Sequence, residues 1–197
     1  MVRDGRFDAG RRRWLAGVAE TTALAVWPGV GVSADAAVAT VAAAAAELDG
    51  LVARFGALPA NGEVRRVFAA GPPAGVLLAA VAPQKLLGWP MKLPAQARAW
   101  MGEPLADLPY LGRLAGRGST MPLEALLELQ PDLVLDSGTV DATYLSGTER
   151  LHRQTGLPCV LVQGGLADSA RQLRAVGALL GESARVERLA AFADEVL

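Results

Sequence analysis

The sequence predicts an α/β fold in which a mostly parallel β-sheet is covered by helices on both faces. From about residue 63 onward, short apolar runs typical of buried strands alternate with segments of helical periodicity. Strands separated by helices need crossover connections, and these make the sheet parallel and cover both of its faces. The chain has 197 residues, of which 52% are hydrophobic, so it can bury the core that such a fold requires.

Residues 1–36 have the pattern of an export signal that resembles the twin-arginine type. Three arginines at 11–13 precede Trp14 and Leu15, and a weakly charged stretch follows over residues 16–32. The alanines at 34 and 36 have the spacing of a signal-peptidase site. The alternative is an amphipathic N-terminal helix with a solvated basic end. No cysteine follows the stretch, so the sequence does not indicate a lipid anchor.

Residues 37–62 are predicted to form an alanine-rich linker followed by a hairpin. Residues 38–47 are mostly alanine, a composition that favours helix but specifies little packing. Glycine, proline and asparagine then interrupt the chain between residues 50 and 62. The main domain is therefore predicted to begin near Glu63.

Residues 63–182 are predicted to form one α/β lobe. Its predicted strands cover residues 64–69, 85–88, 133–135 and 159–162. Its predicted helices cover residues 74–81, 95–101, 122–129, 141–155 and 168–180, with Pro122 as a typical first residue and Gly181 as a typical stop. Residues 183–197 repeat apolar side chains at helical spacing and end without a helix cap. This pattern predicts either that the chain is a fragment or that its last helix continues into a segment absent from this sequence.

The charge balance and the scarcity of histidine and cysteine exclude several kinds of site. Nineteen Lys and Arg against 20 Asp and Glu give a net charge of −1, with no excess positive charge to neutralise a nucleic-acid backbone. A single cysteine, Cys159, and a single histidine, His152, cannot build a His/Cys metal cage. We expect His152 to be a surface histidine and Cys159 an inert core thiol. The sequence therefore predicts no catalytic residues, no enzyme activity and no metal ligands.

Polar loops at strand ends and helix starts supply the candidate ligand-binding residues. Trp89 follows the short predicted strand at the edge where open α/β sheets bind ligands; it is predicted either to stack on a flat ligand or to pack on Pro90. The other candidates flank the helix start at residue 122 and the strand end at residue 135, and they are Arg117, Ser119, Thr120, Ser137 and Thr139. Their alternative role is helix capping, by Ser119 or Thr120 at one helix and by Thr139 or Asp141 at the next.

Residues 71–75, with the sequence Gly-Pro-Pro-Ala-Gly, lie between a predicted strand and a predicted helix. Backbone N–H groups at such a position can bind an anion, but the two prolines remove two of those donors. The sequence therefore favours a turn with proline at the helix start over a nucleotide site.

Three stretches resemble the substrate-binding proteins of iron-siderophore, haem and cobalamin ABC importers. The run PLEALLELQPDLVL at residues 122–135 carries most of the resemblance, and residues 65–70 and 155–162 resemble two further strands of that family. The resemblance implies that residues 63–182 form one Rossmann-like lobe of a two-lobe fold and that residues 183–197 begin the interlobe helix, with the second lobe absent. It also implies that Glu124 docks the lobe on a membrane permease. The loops that it places toward the ligand cleft are those carrying Trp89, Arg117, Ser119 and Ser137.

The function implied by the resemblance is that of a periplasmic, non-enzymatic receptor. It would capture an iron-siderophore, haem, cobalamin or related metal chelate and deliver it to an ABC permease in the inner membrane. Scarce histidine and cysteine favour a metal that is already chelated over direct side-chain ligation. The rival hypotheses are a cytosolic α/β enzyme domain that binds a nucleotide or a small organic acid, and a truncated receptor without function.

Overall fold

A computed structural model describes residues 51–60, 63–115 and 118–197, all within one compact unit that spans Val41–Leu197. The predicted export signal, the alanine-rich segment and Arg117 lie outside the described residues. In the described ranges, no helix is both long enough and apolar enough to cross a membrane.

The described residues build a four-stranded sheet around which the helices are arranged. Its strands are β1 (Val52–Phe55), β2 (Val67–Ala69), β3 (Leu133–Gly138) and β4 (Cys159–Gln163), in the order β1-β4-β3-β2. The pairs β2–β3 and β3–β4 are parallel, whereas β1 runs antiparallel to β4. The prediction of a mostly parallel sheet is therefore confirmed. Residues 52–55, assigned to the linker or hairpin from the sequence, belong instead to this sheet.

In the described ranges, six α-helices follow or separate the strands: α1 (Pro72–Val81), α2 (Ala95–Met101), α3 (Leu123–Glu128), α4 (Ala142–Thr155), α5 (Ser169–Leu180) and α6 (Ser183–Val196). Side chains along a strand point alternately to the two faces of the sheet. In β3, Leu133 and Leu135 join the core shared with α1, α5 and α6. Val134 joins a second core with residues of α3 and α4. Both faces of the sheet are therefore covered, as predicted.

Two predicted strands are shorter than expected or missing, because side chains and turns satisfy their backbone groups. The side chain of Asp132 accepts hydrogen bonds from the N–H groups of Arg65 and Arg66, at 2.8 and 2.9 Å, so β2 begins only at Val67. The strand predicted over residues 85–88 is wrong. Pro83–Lys85 forms a 3₁₀ turn, and Leu86 makes only an isolated bridge to Val67.

The strand β3 is longer than predicted, and this changes the surroundings of the residues that follow Leu135. Asp136 and Ser137 lie within the strand, paired with Leu161 and Val162 of β4, and both are buried. Asp141 caps the next helix, as one of the two capping alternatives predicted. Its Oδ1 accepts hydrogen bonds from the N–H groups of residues 143 and 144, each at 2.9 Å.

Candidate functional site

The carboxyl ends of the parallel strands form one edge at which several loops meet. The loop that follows residue 111 is fastened to this edge, because the N–H groups of Leu114 and Ala115 both donate to the carbonyl oxygen of Ala70, just beyond β2. The ends of β3 and β4 are also tied together, since the N–H of Gly164 donates to the carbonyl oxygen of Gly138 at 2.7 Å. Open α/β sheets bind ligands at this edge, so it is the candidate site.

A cavity of about 530 Å³ opens at this edge, on the sheet face that carries α3 and α4. Its volume lies in the range of small-molecule sites. Apolar walls are supplied by Leu114, Leu123, Val134 and Leu151. The polar groups in its lining belong to Ser119, Asp136, Thr143, Tyr144, Thr148, Arg150 and Gln154. The cavity therefore combines an apolar body with a few polar groups, as ligand pockets do.

Asp136 is the buried carboxylate of this cavity, and sequence reasoning did not select it. Its side chain is 7% exposed, and its Oδ1 accepts one hydrogen bond, from the N–H of Ser137 at 2.9 Å. Burial raises its pKa from 3.8 to about 6, while the Ser137 bond acts in the opposite direction. The signal in the sequence was a carboxylate placed directly after three apolar strand residues, a position that places it in the sheet rather than in a loop.

The start of α1 lies beside the Asp136 carboxylate, but its first two residues have no backbone N–H group to donate to it. A Cβ on Gly71 would lie 3.4 Å from Oδ1 of Asp136, so the two groups are neighbours. Pro72 and Pro73 occupy the first helical positions and have no N–H group. The interpretation of residues 71–75 as a turn with proline at the helix start is confirmed.

The structure corrects the assignment of Trp89 as a residue that stacks on a ligand. Its side chain is only 1% exposed, and its Nε1–H donates to the carbonyl oxygen of Leu105 at 2.8 Å. The indole is therefore held inside the core by the chain that returns from α2. Tyr110, which forms an isolated bridge with Trp89, is 46% exposed, and Trp100 on α2 is 85% exposed.

Ser119 and Thr120 close the loop before α3 rather than capping that helix. Oγ of Ser119 donates to the carbonyl oxygens of Arg113 and Met121, at 3.1 and 2.9 Å, and Oγ1 of Thr120 accepts from the N–H of Arg113 at 3.1 Å. The residue before α3 is Pro122, which supplies no side-chain cap, so the capping alternative for this pair is wrong. Of the two, Ser119 lines the cavity.

Ser137, Thr139 and Glu124 are placed apart from the cavity lining. Ser137 is buried and follows Asp136 in the strand, so its side chain points to the opposite sheet face. Thr139 is exposed just after β3, and the cap of α4 comes from Asp141 instead of from Thr139. Glu124 is exposed in the first turn of α3.

His152 and Cys159 occupy structural positions. Nδ1 of His152 lies 2.8 Å from the carbonyl oxygen of Leu157, in the turn that follows α4. Burial raises the pKa of the Cys159 thiol to about 12, which disfavours the reactive thiolate at neutral pH. In the part of the chain that the structure describes, no three side chains among His, Cys, Asp and Glu come together as metal ligands.

Comparison with known proteins identifies the family. A family model described as "Periplasmic binding protein" matches residues 60–197. The chain belongs to the periplasmic binding protein family. A comparison of the sequence with curated proteins gives no match.

Two solved structures of solute-binding proteins share this periplasmic-binding-protein fold. One is an ABC transporter solute binding protein from Sulfurospirillum deleyianum, with 21% identity and a TM-score of 0.56 over 68% of this chain and 42% of that one. The other is a periplasmic solute binding protein from Veillonella parvula, with 17% identity and a TM-score of 0.51 over 68% of this chain and 41% of that one. The chain thus spans less than half the length of either structure, and it matches one lobe of the periplasmic-binding-protein fold, as predicted.

Family membership also bears on location and activity. The periplasmic binding protein family implies an exported protein that works in the periplasm. Its members are solute-binding proteins and typically not enzymes. This agrees with the predicted receptor class and gives no support to the rival hypothesis of a cytosolic enzyme domain.

Proposed function

We propose that this chain is the lobe of a substrate-binding component of an ABC importer, which captures an iron-siderophore or a related metal chelate and delivers it to the membrane permease. The observation that carries the proposal is the family match over residues 60–197. The cavity at the carboxyl edge of the sheet supports it, because this edge is where an α/β lobe of such a receptor binds its ligand.

Two features of the chain favour a chelated metal over a bare ion as the ligand. The sequence contains one histidine and one cysteine, the side chains that bind transition metals most readily. The cavity of about 530 Å³ has apolar walls, which suit the organic shell of a chelate better than a hydrated ion. Ser119 supplies a polar contact at the cavity, and Arg117, in the same loop, is proposed as a second one.

A titration of the protein with ferric siderophores, haem and cobalamin tests the ligand class. Intrinsic tryptophan fluorescence follows binding, since the described residues include Trp89 and Trp100. We expect saturable quenching by at least one chelate, with free N-acetyltryptophanamide as the control for light absorption by the ligand. Absence of a saturable response to all three classes would overturn the proposal.

Glu124 is proposed as the residue that docks the lobe on the permease. Its carboxylate is exposed in the first turn of α3, so its removal leaves the core and the cavity lining intact. In cells that depend on this importer, we expect Glu124→Lys to abolish chelate uptake without changing chelate affinity. The matched control is Glu195→Lys, which reverses an exposed charge on α6. Normal uptake by the Glu124 variant would refute this docking role.

Export by the N-terminal segment is proposed from its sequence pattern. We expect the mature protein to be recovered from the periplasmic fraction, with its N-terminus close to residue 37. N-terminal sequencing of the secreted chain measures this directly. Recovery of the intact N-terminus in the cytoplasm would contradict both the signal and the periplasmic location.

A further inference from the structure

The cavity at the carboxyl edge contains a carboxylate with too few partners. In the described part of the chain, Asp136 accepts a single hydrogen bond, from the N–H of Ser137, and forms no ion pair. Buried carboxylates in folded proteins are usually paired with a cation or hold several hydrogen bonds. Among the described residues, the second carboxylate oxygen, Oδ2, receives no hydrogen bond, and Asp136 lines the cavity that a ligand would enter.

Two features explain why the described residues around Asp136 supply no second donor. The helix start nearest to Asp136 carries Pro72 and Pro73 at its first two positions, and these have no N–H group. The other charged side chain in the cavity lining, Arg150, lies six residues beyond Tyr144, whose ring sits beside the end of β3 at Gly138. Six residues correspond to about 9 Å along a helix axis, which places Arg150 toward the far end of the cavity.

The shape of the cavity indicates what kind of group enters it. Its lining runs along α4 from Thr143 to Gln154, a distance of about 16 Å at the rise of an α-helix. Leu123, Val134 and Leu151 make the walls along this length apolar, and Asp136 lies at the carboxyl edge. The cavity therefore combines apolar walls with a carboxylate at the edge of the sheet, which suits an alkyl arm that ends in a hydrogen-bond donor.

We propose that Asp136 makes the receptor selective for metal chelates that carry a positively charged amine on a flexible arm. The alkyl part of the arm would contact the apolar walls beside the carboxyl edge, and its ammonium group would donate to the Asp136 carboxylate at that edge. This inference rests on the proposed function, and it narrows the ligand class to cationic or amine-bearing chelates over anionic ones. An ammonium group is the matching partner because it supplies several donors and neutralises the buried charge.

A matched pair of ligands tests the inference on the unmodified protein. The probes are a ferric trihydroxamate with a free primary amine and the same chelate with that amine acetylated, which removes the charge and leaves the metal centre unchanged. We expect the wild-type protein to bind the amine form about tenfold more tightly or better, the effect of one charge-assisted hydrogen bond. Isothermal titration calorimetry at neutral pH measures both affinities.

Two variants assign the preference to this carboxylate. Asp136→Asn keeps the size of the side chain and the acceptor for Ser137 but removes the charge, so the ratio of the two affinities should fall to about one. The control is Glu128→Gln, which removes an exposed charge on α3 outside the cavity lining and should keep the wild-type ratio. Thermal unfolding of each variant verifies that it is folded.

The outcomes separate this inference from the function on which it rests. Equal binding of the two chelates by the wild-type protein overturns the inference but leaves the receptor function standing, and so does a preference that survives in Asp136→Asn. Failure of the protein to bind any chelate, haem or cobalamin refutes the proposed function and the inference together.

Discussion

Asp136 makes the stability of this protein depend on pH in a direction opposite to that of most carboxylates. Burial raises its pKa in the folded protein to about 6, whereas in the unfolded chain it has its ordinary value of 3.8. Between these two values the folded protein retains a proton that the unfolded chain has released. The contribution of Asp136 to the free energy of unfolding is therefore most favourable below about pH 4, where the side chain is protonated in both states. The folded protein loses this stability as the pH rises through 6. A difference of about 2 pKa units corresponds to about 3 kcal/mol in the free energy of unfolding.

Replacing Asp136 by Asn isolates this contribution. Asn has nearly the same shape and can accept the hydrogen bond from the N–H of Ser137, but it does not ionise. The free energy of unfolding of the variant should therefore increase relative to wild type as the pH rises. About 2 kcal/mol of the 3 kcal/mol difference between variant and wild type develops between about pH 4.5 and about pH 7.5, a range in which unfolding experiments are practical.

Urea unfolding followed by circular dichroism, at several pH values across this range, measures the difference. Because every other titrating group is shared, the difference between the two proteins reports Asp136 alone. Glu128→Gln, which neutralises an exposed carboxylate on α3, is the control for the loss of one negative charge and is measured at the same pH values. Parallel curves for Asp136→Asn, or a wild type that gains stability over the variant as the pH rises, would refute the reasoning about burial.

Four further substitutions test packing and helix capping in the lobe, each by chemical denaturation. Gly177→Ala should destabilise the protein by about 1–3 kcal/mol, since the new Cβ would lie 2.7 Å from Cγ2 of Val186 and force α5 and α6 apart. Gly147→Ala, on α4 with nothing within 4 Å, should instead stabilise it by up to about 1 kcal/mol; equal effects of the two would contradict the close approach. Asp141→Ala should cost about 1 kcal/mol through loss of the α4 cap, and no loss would show that the cap is dispensable. Trp89→Phe should cost about 2–4 kcal/mol, because the hydrogen bond to Leu105 is lost and the smaller ring leaves a cavity in the core, and it should leave chelate affinity unchanged; a weakened affinity would show that Trp89 contributes to the ligand site.

The parts of the fold that local patterns determine could be predicted from the sequence. The helix predicted over residues 95–101 is observed as Ala95–Met101, and the strand predicted over residues 159–162 is extended by one residue. Apolar periodicity and flanking turn residues are properties of neighbouring positions, so they can be read without the rest of the fold. The same holds for Gly181, whose positive φ of 74° ends α5 as predicted.

The parts that depend on distant residues could not be predicted in this way. The start of β2 is set by Asp132, whose side chain takes the backbone donors of residues 65 and 66. The burial of Trp89 depends on Leu105, sixteen residues later, whose carbonyl oxygen receives the indole N–H. A tryptophan after a predicted strand is equally consistent with a ligand-facing ring and with a core residue until the course of the returning loop is known.

The burial of Asp136 also depends on distant residues, and this residue supplies the strongest argument for function. Stability alone does not explain an aspartate at this position, because burial of its charged form lowers the free energy of unfolding by about 3 kcal/mol at neutral pH. Asparagine would keep the bond from Ser137 without that cost, and a leucine at this position would extend the apolar face of β3. Violations of local stability rules concentrate where a protein binds something. The buried carboxylate, the prolines that withhold donors from it and the open cavity in front of it together point to a partner that arrives with the ligand.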